Sequence, residues 1–494
     1  MSLFSFFRPA PHRPVTGTRD EQARRYRRLR FYAVGVMVVV YGLYYVCRLS
    51  LNVMKKPLVD SGYLTTEQLG YIGSALFFAY AVGKCVNGFL ADRSNIRKFM
   101  SVGLFVSALA NFALGFHVPA LVFAVLWGIN GYAQSMGAPA SVVGLARWFS
   151  NRERGTYYGI WCTSHNLGEA LTFVLTSLIV SSFGWRWGFA GAALFGFVGV
   201  ALAWLFYRDS PQSEGLPPIT EWAEHRCGGV SSGACEARAS SCSSGAVSPE
   251  KDGLHSADTA AELQGEEQAS VSAGQIAVLK NWAVWMIALS SAFIYVSRYA
   301  INSWGIYFLE MKKGYTNLEA SSIISVNAMC GLFGTLFSGI ISDRLFGGRR
   351  NAPALIFGAM NTVALCLFLL VPGAHKAVDV LAMVLFGLSI GVLFCFLGGL
   401  MAVDVAPKNA AGAALGVVGI ASYLGAGIQD IVSGYLIKTQ GVVEGGKKVY
   451  EFAHTVFHWG GAEYAVDYVA LFWIGASLLS LLCALTVWNV KPRA

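Results

Sequence analysis

Two arginines stand inside long apolar stretches of this sequence, where a charged side chain is costly. Each closes a Tyr-Val-x-Arg motif, which runs from Tyr45 to Arg48 and again from Tyr295 to Arg298. The two arginines are 250 positions apart, about half of the 494-residue chain. A guanidinium group can bind phosphate through two parallel hydrogen bonds. The repeated motif therefore predicts two related halves that share one anion-binding site.

Other polar and aromatic residues share helical faces with charged residues in the same apolar stretches. Their spacings are three, four or seven positions, which place side chains on one side of a helix. The groups are Tyr41 and Tyr45 with Arg48, Tyr80 with Lys84, Trp161 with His165 and Glu169, and Tyr295 with Arg298. Stripes of this kind on otherwise apolar helices predict a solvated central cavity.

The composition indicates a protein that crosses the membrane many times. Hydrophobic residues make up 55% of the chain and charged residues only 13%, and the mean hydropathy is +0.51. A water-soluble domain is about a quarter charged. Since a span needs about twenty apolar residues, we predict twelve transmembrane helices. They cover 31–54, 67–91, 99–117, 119–146, 156–182, 186–207, 281–309, 319–342, 352–372, 378–404, 410–437 and 466–489.

These spans predict an all-α membrane protein of two pseudo-symmetric six-helix halves. The predicted order is a basic N-terminus (1–30), a first half (31–207), a flexible linker (208–280), a second half (281–489) and a short tail (490–494). With both termini in the cytoplasm, inside segments hold 25 Lys and Arg residues and outside segments 9. The positive-inside rule therefore favours this orientation and explains the net charge of +9 without nucleic acid.

A second motif repeats at almost the same distance. Asp92-Arg93 follows the second span and Asp343-Arg344 follows the eighth, 251 positions later. A carboxylate at a helix end beside cationic loop residues predicts a charge cluster that locks one face of a transporter and releases it when the halves rock. We therefore expect these four residues to act in conformational gating.

The buried charges predict an anionic ligand. Arg48, Lys84 and Arg298 carry three positive charges, and Glu169 and Asp430 carry two negative ones. A phosphate ester would neutralise the excess positive charge. Nothing in the chain suggests a nucleophile, a cofactor or a metal site, and the gaps between Cys227, Cys235 and Cys242 match no zinc spacing. We therefore do not expect an enzyme.

Several residues also have structural interpretations that the sequence leaves open. The arginines could form salt bridges, and Lys84 could extend toward the cytoplasm. His165 could be a hydrogen-bonded helix partner, and Asp430 could pair with a cation or contact sugar hydroxyls. Single tyrosines could simply pack.

The paired Asp-Arg loops in two six-span halves resemble the major facilitator superfamily. Four stretches resemble, more narrowly, its organophosphate:phosphate antiporters. They are Tyr44-Tyr45-Val46-Cys47-Arg48, Ala79-Tyr80-Ala81-Val82-Gly83-Lys84 with Asp92-Arg93, Arg147-Trp148-Phe149-Ser150 with Trp161 and His165-Asn166-Leu167-Gly168, and Tyr295-Val296-Ser297-Arg298-Tyr299 with Trp304.

The resemblance implies a role for each matching residue. Arg48 and Arg298 would grip the phosphate, with His165 and Lys84 nearby. The surrounding aromatic residues would be Tyr41, Tyr45, Tyr80, Trp161, Tyr295 and Tyr423. Glu169 departs from the small residue of the glycerol-3-phosphate transporter, and Asp430 is a charge of the kind that hexose-phosphate members use in this span.

The functional hypothesis is a monomeric inner-membrane antiporter that exchanges a sugar phosphate for inorganic phosphate by alternating access. Hexose 6-phosphate is favoured, and glycerol 3-phosphate is the second choice. One alternative is a membrane sensor of external hexose phosphate, whose partner would be a histidine kinase. Another is a facilitator for a neutral sugar or a drug.

Overall fold

The structure is a computed structural model that describes residues 6–219, 222, 274–346, 350–407, 410–437, 440–444, 447–459 and 462–490. Within these ranges, the side chains of 151, 152, 154, 155, 343, 399, 411, 412, 440–444, 447–451, 459 and 462–464 lie outside the description. Most of the predicted linker and the last four residues of the chain also lie outside it.

Seven helices form the first half. They are α1 (Arg19–Asp60), α2 (Thr66–Asp92), α3 (Ile96–Leu114), α4 (Ala120–Gln134), α5 (Gly137–Trp148), α6 (Asn151–Phe183) and α7 (Trp185–Phe206). A capping box between Thr18 and Glu21 begins α1, so the helix starts well before the predicted span. It also ends later than predicted, at Asp60, with Pro57 inside its last turn.

The second half contains α8 (Trp282–Lys312), α9 (Asn317–Ile340), α10 (Asn351–Leu370), α11 (Lys376–Cys395), α12 (Met401–Val405), α13 (Ala411–Leu436) and α14 (Tyr468–Thr486). Two π-helical turns, Ile341–Leu345 and Phe396–Leu400, follow α9 and α11. The first of these turns carries the Asp343-Arg344 motif. Such turns occur often at functional sites.

The predicted helical membrane fold is confirmed, with one interruption. In the described part of the chain, eleven helices are long and apolar enough to cross a membrane. The predicted span 119–146 is instead split into α4 and α5. At the break, the amides of Ser135 and Met136 bond the carbonyls three residues back, and the Ser135 hydroxyl accepts a hydrogen bond from Asn87.

Two antiparallel hairpins add a small β structure to the predicted all-α fold. The strands are β1 (Gln440–Glu444), β2 (Lys447–Glu451), β3 (His454–Trp459) and β4 (Ala462–Asp467), paired β1–β2 and β3–β4. Phe452, between the hairpins, is buried and stacks on Phe308 at 5.9 Å. The hairpins therefore cover one end of the second half.

The two ends of the helix bundle differ in how the halves meet. The basic face contains residues 6–18 and the turns at 93–95 and 149–150; the capped face contains the turns at 61–65 and 313–316 and strands β1–β4. We expect the basic face to be cytoplasmic. The hydrogen bonds and ion pairs described between the halves lie between the level of Arg48 and the capped face, as with Asn317 donating to the carbonyl of Val53 at 3.0 Å.

Glycines allow this close contact near the capped face. A Cβ atom at Gly70 would lie 2.7 Å from the carbonyl oxygen of Asp430, and one at Gly434 would lie 2.7 Å from that of Thr66. These separations are too short for real side chains. Helices α2 and α13 therefore pack backbone to backbone, as small residues permit in membrane helices.

A buried carboxylate organises the basic face of the first half. Asp209 accepts hydrogen bonds from Arg147 Nη1 at 2.5 Å and from the backbone amides of Ala10 and Ile96 at 2.9 Å each. Asp209 lies at the start of the predicted linker 208–280 and is packed against the first half. The cluster joins residues from four parts of the first half.

Replacing Asp209 by Asn should destabilise the first half. The change removes the charge that faces Arg147 and presents a donor to amides that need an acceptor, which costs about 2 kcal/mol. Thermal unfolding of the purified protein in detergent measures this loss. Asp92→Asn is the matched control, because the Asp92 side chain is exposed and its replacement should change stability by less than about 0.5 kcal/mol. Equal stability of the two variants would refute this role of Asp209.

Candidate functional site

Arg48 lies in an aromatic cage at the centre of the molecule. Its side chain is buried on α1, and its Nη2 atom donates to the Tyr299 hydroxyl of α8 at 3.2 Å. Its guanidinium carbon lies 4.4 Å from the ring centre of Tyr80, 5.5 Å from that of Tyr45 and 5.9 Å from that of Tyr423. These contacts are cation–π interactions, and they leave Arg48 without a carboxylate partner among the described residues.

Arg298 is also buried but has a different environment. Its Nη2 atom lies 3.5 Å from the Glu169 carboxylate of α6, and both side chains are buried. Its guanidinium carbon lies 4.9 Å from the ring centre of Phe394 and 5.8 Å from that of Tyr299. Arg48 of the first half and Arg298 of the second half therefore both contact Tyr299.

Aromatic contacts close the space between the halves at this level. The rings of Tyr80 and Tyr423 are 4.6 Å apart, and those of Phe77 and Tyr299 are 4.5 Å apart. Tyr295 packs in the same layer, 5.6 Å from Tyr423 and 6.0 Å from Phe394. Tyr45 and Tyr295, the tyrosines of the repeated motif, thus both line the site.

His165 stands between the halves beside Glu169. Its ring is 6.1 Å from Tyr45 on one side and 6.1 Å from Phe394 on the other. His165, Glu169 and Arg298 line a cavity of about 10 Å³, which is about the room needed for one water molecule. His165, Glu169 and Arg298 therefore pack closely around this small space.

Two buried donors near the cavity lack a hydrogen-bond acceptor among the described residues. They are Nε1 of Trp161 and Nδ2 of Asn166, which also lines the cavity. Trp161 packs on Tyr41, with ring centres 4.9 Å apart. Tyr41 therefore contacts the site through the Trp161 ring, whereas Trp161 and Asn166 can donate hydrogen bonds to a ligand. Unsatisfied buried donors are costly, so a ligand acceptor would stabilise both.

Lys84 lies on the side of this layer nearer the basic face. Its side chain is exposed, and its Nζ atom is 5.2 Å from the ring centre of Tyr423. It is therefore beside the site but not enclosed by it. Both sequence-based interpretations, a ligand contact and an extended surface lysine, fit this position.

Asp430 does not reach the arginines and instead pairs with Lys55. Lys55 is fully buried, 3.7 Å from the Asp430 carboxylate, and donates to Ser303 Oγ at 2.7 Å. Asp430 also accepts from Ser303 at 2.7 Å and from Trp304 Nε1 at 2.8 Å. Of the two interpretations left open for Asp430, pairing with a cation is observed, and a contact with sugar hydroxyls stays a prediction. Lys55 lies just beyond the predicted first span, so its burial was not predicted.

This pairing changes the charge balance of the site. Asp430 offsets Lys55, so Glu169 remains as the acidic residue beside Arg48, Arg298 and Lys84 in the described structure. With His165 neutral, the excess is two positive charges rather than the one predicted. The geometry thus provides a strongly cationic centre between two halves.

The predicted gating motifs have exposed or undescribed side chains. Asp92 and Arg93 are exposed at the end of α2, where the Asp92 carbonyl accepts a hydrogen bond from Arg147 at 3.2 Å. Arg344 is exposed as well, and the Asp343 side chain lies outside the described part. On the basic face of the first half the buried acid at the centre of the described charge cluster is Asp209, whereas Asp92 is exposed. A gating role for these motifs stays a prediction.

Sequence reasoning missed three residues that shape the site. Tyr299 and Asn166 follow Arg298 and His165 directly in the motifs and were quoted there, but their helical positions alone gave no separate signal. Lys55 was missed because the predicted span ended at residue 54. In the described ranges, no group of His, Cys, Asp and Glu side chains could hold a metal ion.

Known proteins resemble this chain along most of its length. A family model described as Major Facilitator Superfamily matches residues 34–429. The Membrane sensor protein UhpC of Salmonella typhimurium is 31% identical over 86% of this chain and 89% of that protein. The chain belongs to the organophosphate:phosphate antiporter family of the major facilitator superfamily. This confirms the predicted family and the expectation that the chain is not an enzyme.

Further relatives carry transporter names. A Probable hexose phosphate transport protein of Chlamydia pneumoniae is 31% identical over 85% of this chain and 88% of that protein. The Glycerol-3-phosphate transporter of Bacillus subtilis is 28% identical over 100% of this chain and 99% of that protein. This chain therefore aligns over most or all of its length with a relative named for hexose phosphate and with one named for glycerol 3-phosphate.

A solved structure shows the same fold. The bacterial homologue of the human lysosomal transporter Spinster, in an inward-facing and unoccupied conformation, superposes with a TM-score of 0.62. The superposition covers 83% of this chain and 82% of that one at 16% identity. At this identity the likeness supports the major facilitator fold alone.

Proposed function

We propose that this protein exchanges a sugar phosphate for inorganic phosphate across the membrane. The observation that carries the proposal is the pair of buried arginines, one from each half, at a site with two positive charges in excess. A phosphate ester carries up to two negative charges near neutral pH and accepts hydrogen bonds from both guanidinium groups. Its charge therefore matches the site.

The position of the site between the two halves suggests how binding drives transport. Arg48 moves with the first half and Arg298 with the second, so a phosphate between them draws the halves together. The halves already touch from this level to the capped face, which supports access from the basic face in this conformation. Rocking about the site then exposes it to the other side, as alternating access requires.

Hexose 6-phosphate is the favoured substrate, and glycerol 3-phosphate is the alternative. Glu169 next to Arg298 could accept hydrogen bonds from sugar hydroxyls once phosphate has taken over the arginine. Asp430 pairs with Lys55 in this conformation, so the preference for a hexose rests on Glu169 rather than on Asp430. Relatives are named for hexose phosphate and for glycerol 3-phosphate, so both substrates are candidates.

We further propose that the protein acts as a monomer in the inner (plasma) membrane with both termini in the cytoplasm. The positive-inside count supports this orientation. The partners of the site would be the phosphate ester, inorganic phosphate and the surrounding lipid.

The second candidate is a sensor of external hexose phosphate. The observation in its favour is the relative named as a membrane sensor, which aligns over 86% of this chain. A sensor would bind the same ligand and pass the signal to a histidine kinase without carrying the ligand across.

Uptake of labelled substrate into vesicles that contain only this purified protein distinguishes a transporter from a sensor. Labelled glucose 6-phosphate should enter vesicles preloaded with inorganic phosphate far faster than vesicles preloaded with sulfate. Binding of glucose 6-phosphate without any flux would contradict transport and support the sensor. Glucose carries no negative charge to offset the two excess positive charges of the site, so we expect no uptake of labelled glucose. Uptake of glucose equal to that of glucose 6-phosphate would instead support a facilitator for neutral sugars.

A further inference from the structure

The two arginines of the site are not equivalent. Arg298 faces the Glu169 carboxylate at 3.5 Å, whereas the polar partner of Arg48 is the neutral Tyr299 hydroxyl at 3.2 Å. Glu169 and Arg298 belong to opposite halves, to α6 and α8. Their ion pair therefore joins the halves at the position where a bound anion would join them.

Apart from Arg298, the residues that line the cavity beside Glu169 are uncharged. The cavity beside it is lined by His165, Asn166, Asn327 and Phe394 in addition to Arg298. The Asn327 amide is already engaged, because it donates to Asn302 at 2.9 Å. Arg298 is thus the cation that offsets the Glu169 charge in the described site.

We propose that Glu169 is a built-in counter-anion that occupies Arg298 when no substrate is bound. This inference rests on the proposed function and concerns the coupling of exchange. Incoming phosphate binds first to Arg48, which has no carboxylate to displace, and then replaces Glu169 on Arg298. Glu169 is then free to accept a hydrogen bond from the hydroxyl-bearing part of the substrate.

The consequence concerns the empty protein. Moving uncompensated charge through a closed, desolvated site is costly, so a site with three uncompensated cations would hardly change orientation without a bound anion. Glu169 lowers the excess to two. We therefore infer that the empty protein can reorient at a measurable rate, so that net phosphate release accompanies exchange.

Glu169→Gln tests this inference with inorganic phosphate as the probe. Removing a buried negative charge near the bound anion should tighten phosphate binding to the purified protein by about tenfold. In vesicles loaded with labelled phosphate, the ratio of exchange to net release should rise by about the same factor. Glu169→Asp keeps the charge but withdraws it by one methylene, and should fall between wild type and Glu169→Gln in both measurements.

Glu310→Gln is the matched control. Glu310 is a buried carboxylate on α8, twelve positions beyond Arg298, and it accepts a hydrogen bond from Asn317 at 3.0 Å. At 1.5 Å per residue it is about 18 Å from Arg298 along the helix. The Glu310→Gln variant should leave phosphate affinity and the flux ratio unchanged. It therefore separates the general effect of losing a buried carboxylate from the specific effect of losing Glu169.

The outcomes separate this inference from the proposed function. If wild type exchanges phosphate but Glu169→Gln binds it no more tightly and keeps the same flux ratio, the counter-anion role is wrong while the transporter stands. If Glu169→Gln does not fold, Glu169→Asp decides by the same two measurements. Tighter phosphate binding by Glu169→Gln in a protein without flux would support the counter-anion and refute the antiporter.

Discussion

Replacing both Arg48 and Arg298 by alanine will abolish the uptake of glucose 6-phosphate into phosphate-loaded vesicles. Hydrogen bonds to charged groups contribute about 1.5–3 kcal/mol each, so losing both arginines should reduce uptake by at least a hundredfold. The exposed Arg186→Ala variant at the start of α7 is the control, because it removes a similar side chain far from the site.

Lysine at the same two positions separates charge from geometry. A lysine keeps the positive charge but cannot form the forked pair of hydrogen bonds. Arg48→Lys and Arg298→Lys should each retain weak uptake with poorer apparent affinity. Near-normal uptake by the double alanine variant would show that the phosphate binds elsewhere. Equal effects of alanine and lysine would show that the fork, rather than the charge, carries binding.

Breaking the pair between Lys55 and Asp430 will destabilise the protein more than replacing Asp209 by Asn. Both side chains are completely or almost completely buried, at 0% and 1% exposure. Removing one partner strands the other charge in a closed interface, which costs about 3–5 kcal/mol. The apparent melting temperature of Lys55→Met and Asp430→Asn should fall sharply in detergent.

The double variant Lys55→Met with Asp430→Asn tests the pairing itself. It removes both charges together, so its loss of stability should be smaller than the sum of the single losses. Since the pair joins α1 to α13 near the capped face, its loss should also favour opening on that side. Additive single effects would show that the two residues do not depend on each other.

The central arginines could be predicted from the sequence because a charge in the middle of a membrane span is costly and is seldom kept without a function. Such a charge inside an apolar helix is visible without any knowledge of packing, and the common offset of two motifs relates the halves. The tyrosines one turn from each arginine follow from helical spacing alone. The structure places these residues in a single layer, and their binding of an anion stays a prediction.

Residues at the ends of elements could not be predicted as well. Helix α1 continues through Lys55 to Asp60, and hydropathy alone does not show that a lysine near a span end is buried against another half. The partner of Asp430 depended on this boundary, and so did the charge balance of the site. Asp209 was missed for a similar reason, since polar composition assigned it to the linker.

The break between α4 and α5 shows a different limit. Hydropathy sees one continuous apolar stretch, whereas the break depends on local hydrogen bonds of Ser135. The hairpins beside the capped face depend on contacts such as Phe452 on Phe308, which join residues far apart in the chain. Neither feature has a periodicity that a sequence pattern could report.

A density map of the purified protein with glucose 6-phosphate tests the role of the two arginines most directly. We predict phosphate density between Arg48 and Arg298, within hydrogen-bond distance of both guanidinium groups, and Glu169 withdrawn from Arg298. Phosphate density elsewhere, with Arg298 still on Glu169 and Arg48 still on Tyr299, would contradict this prediction.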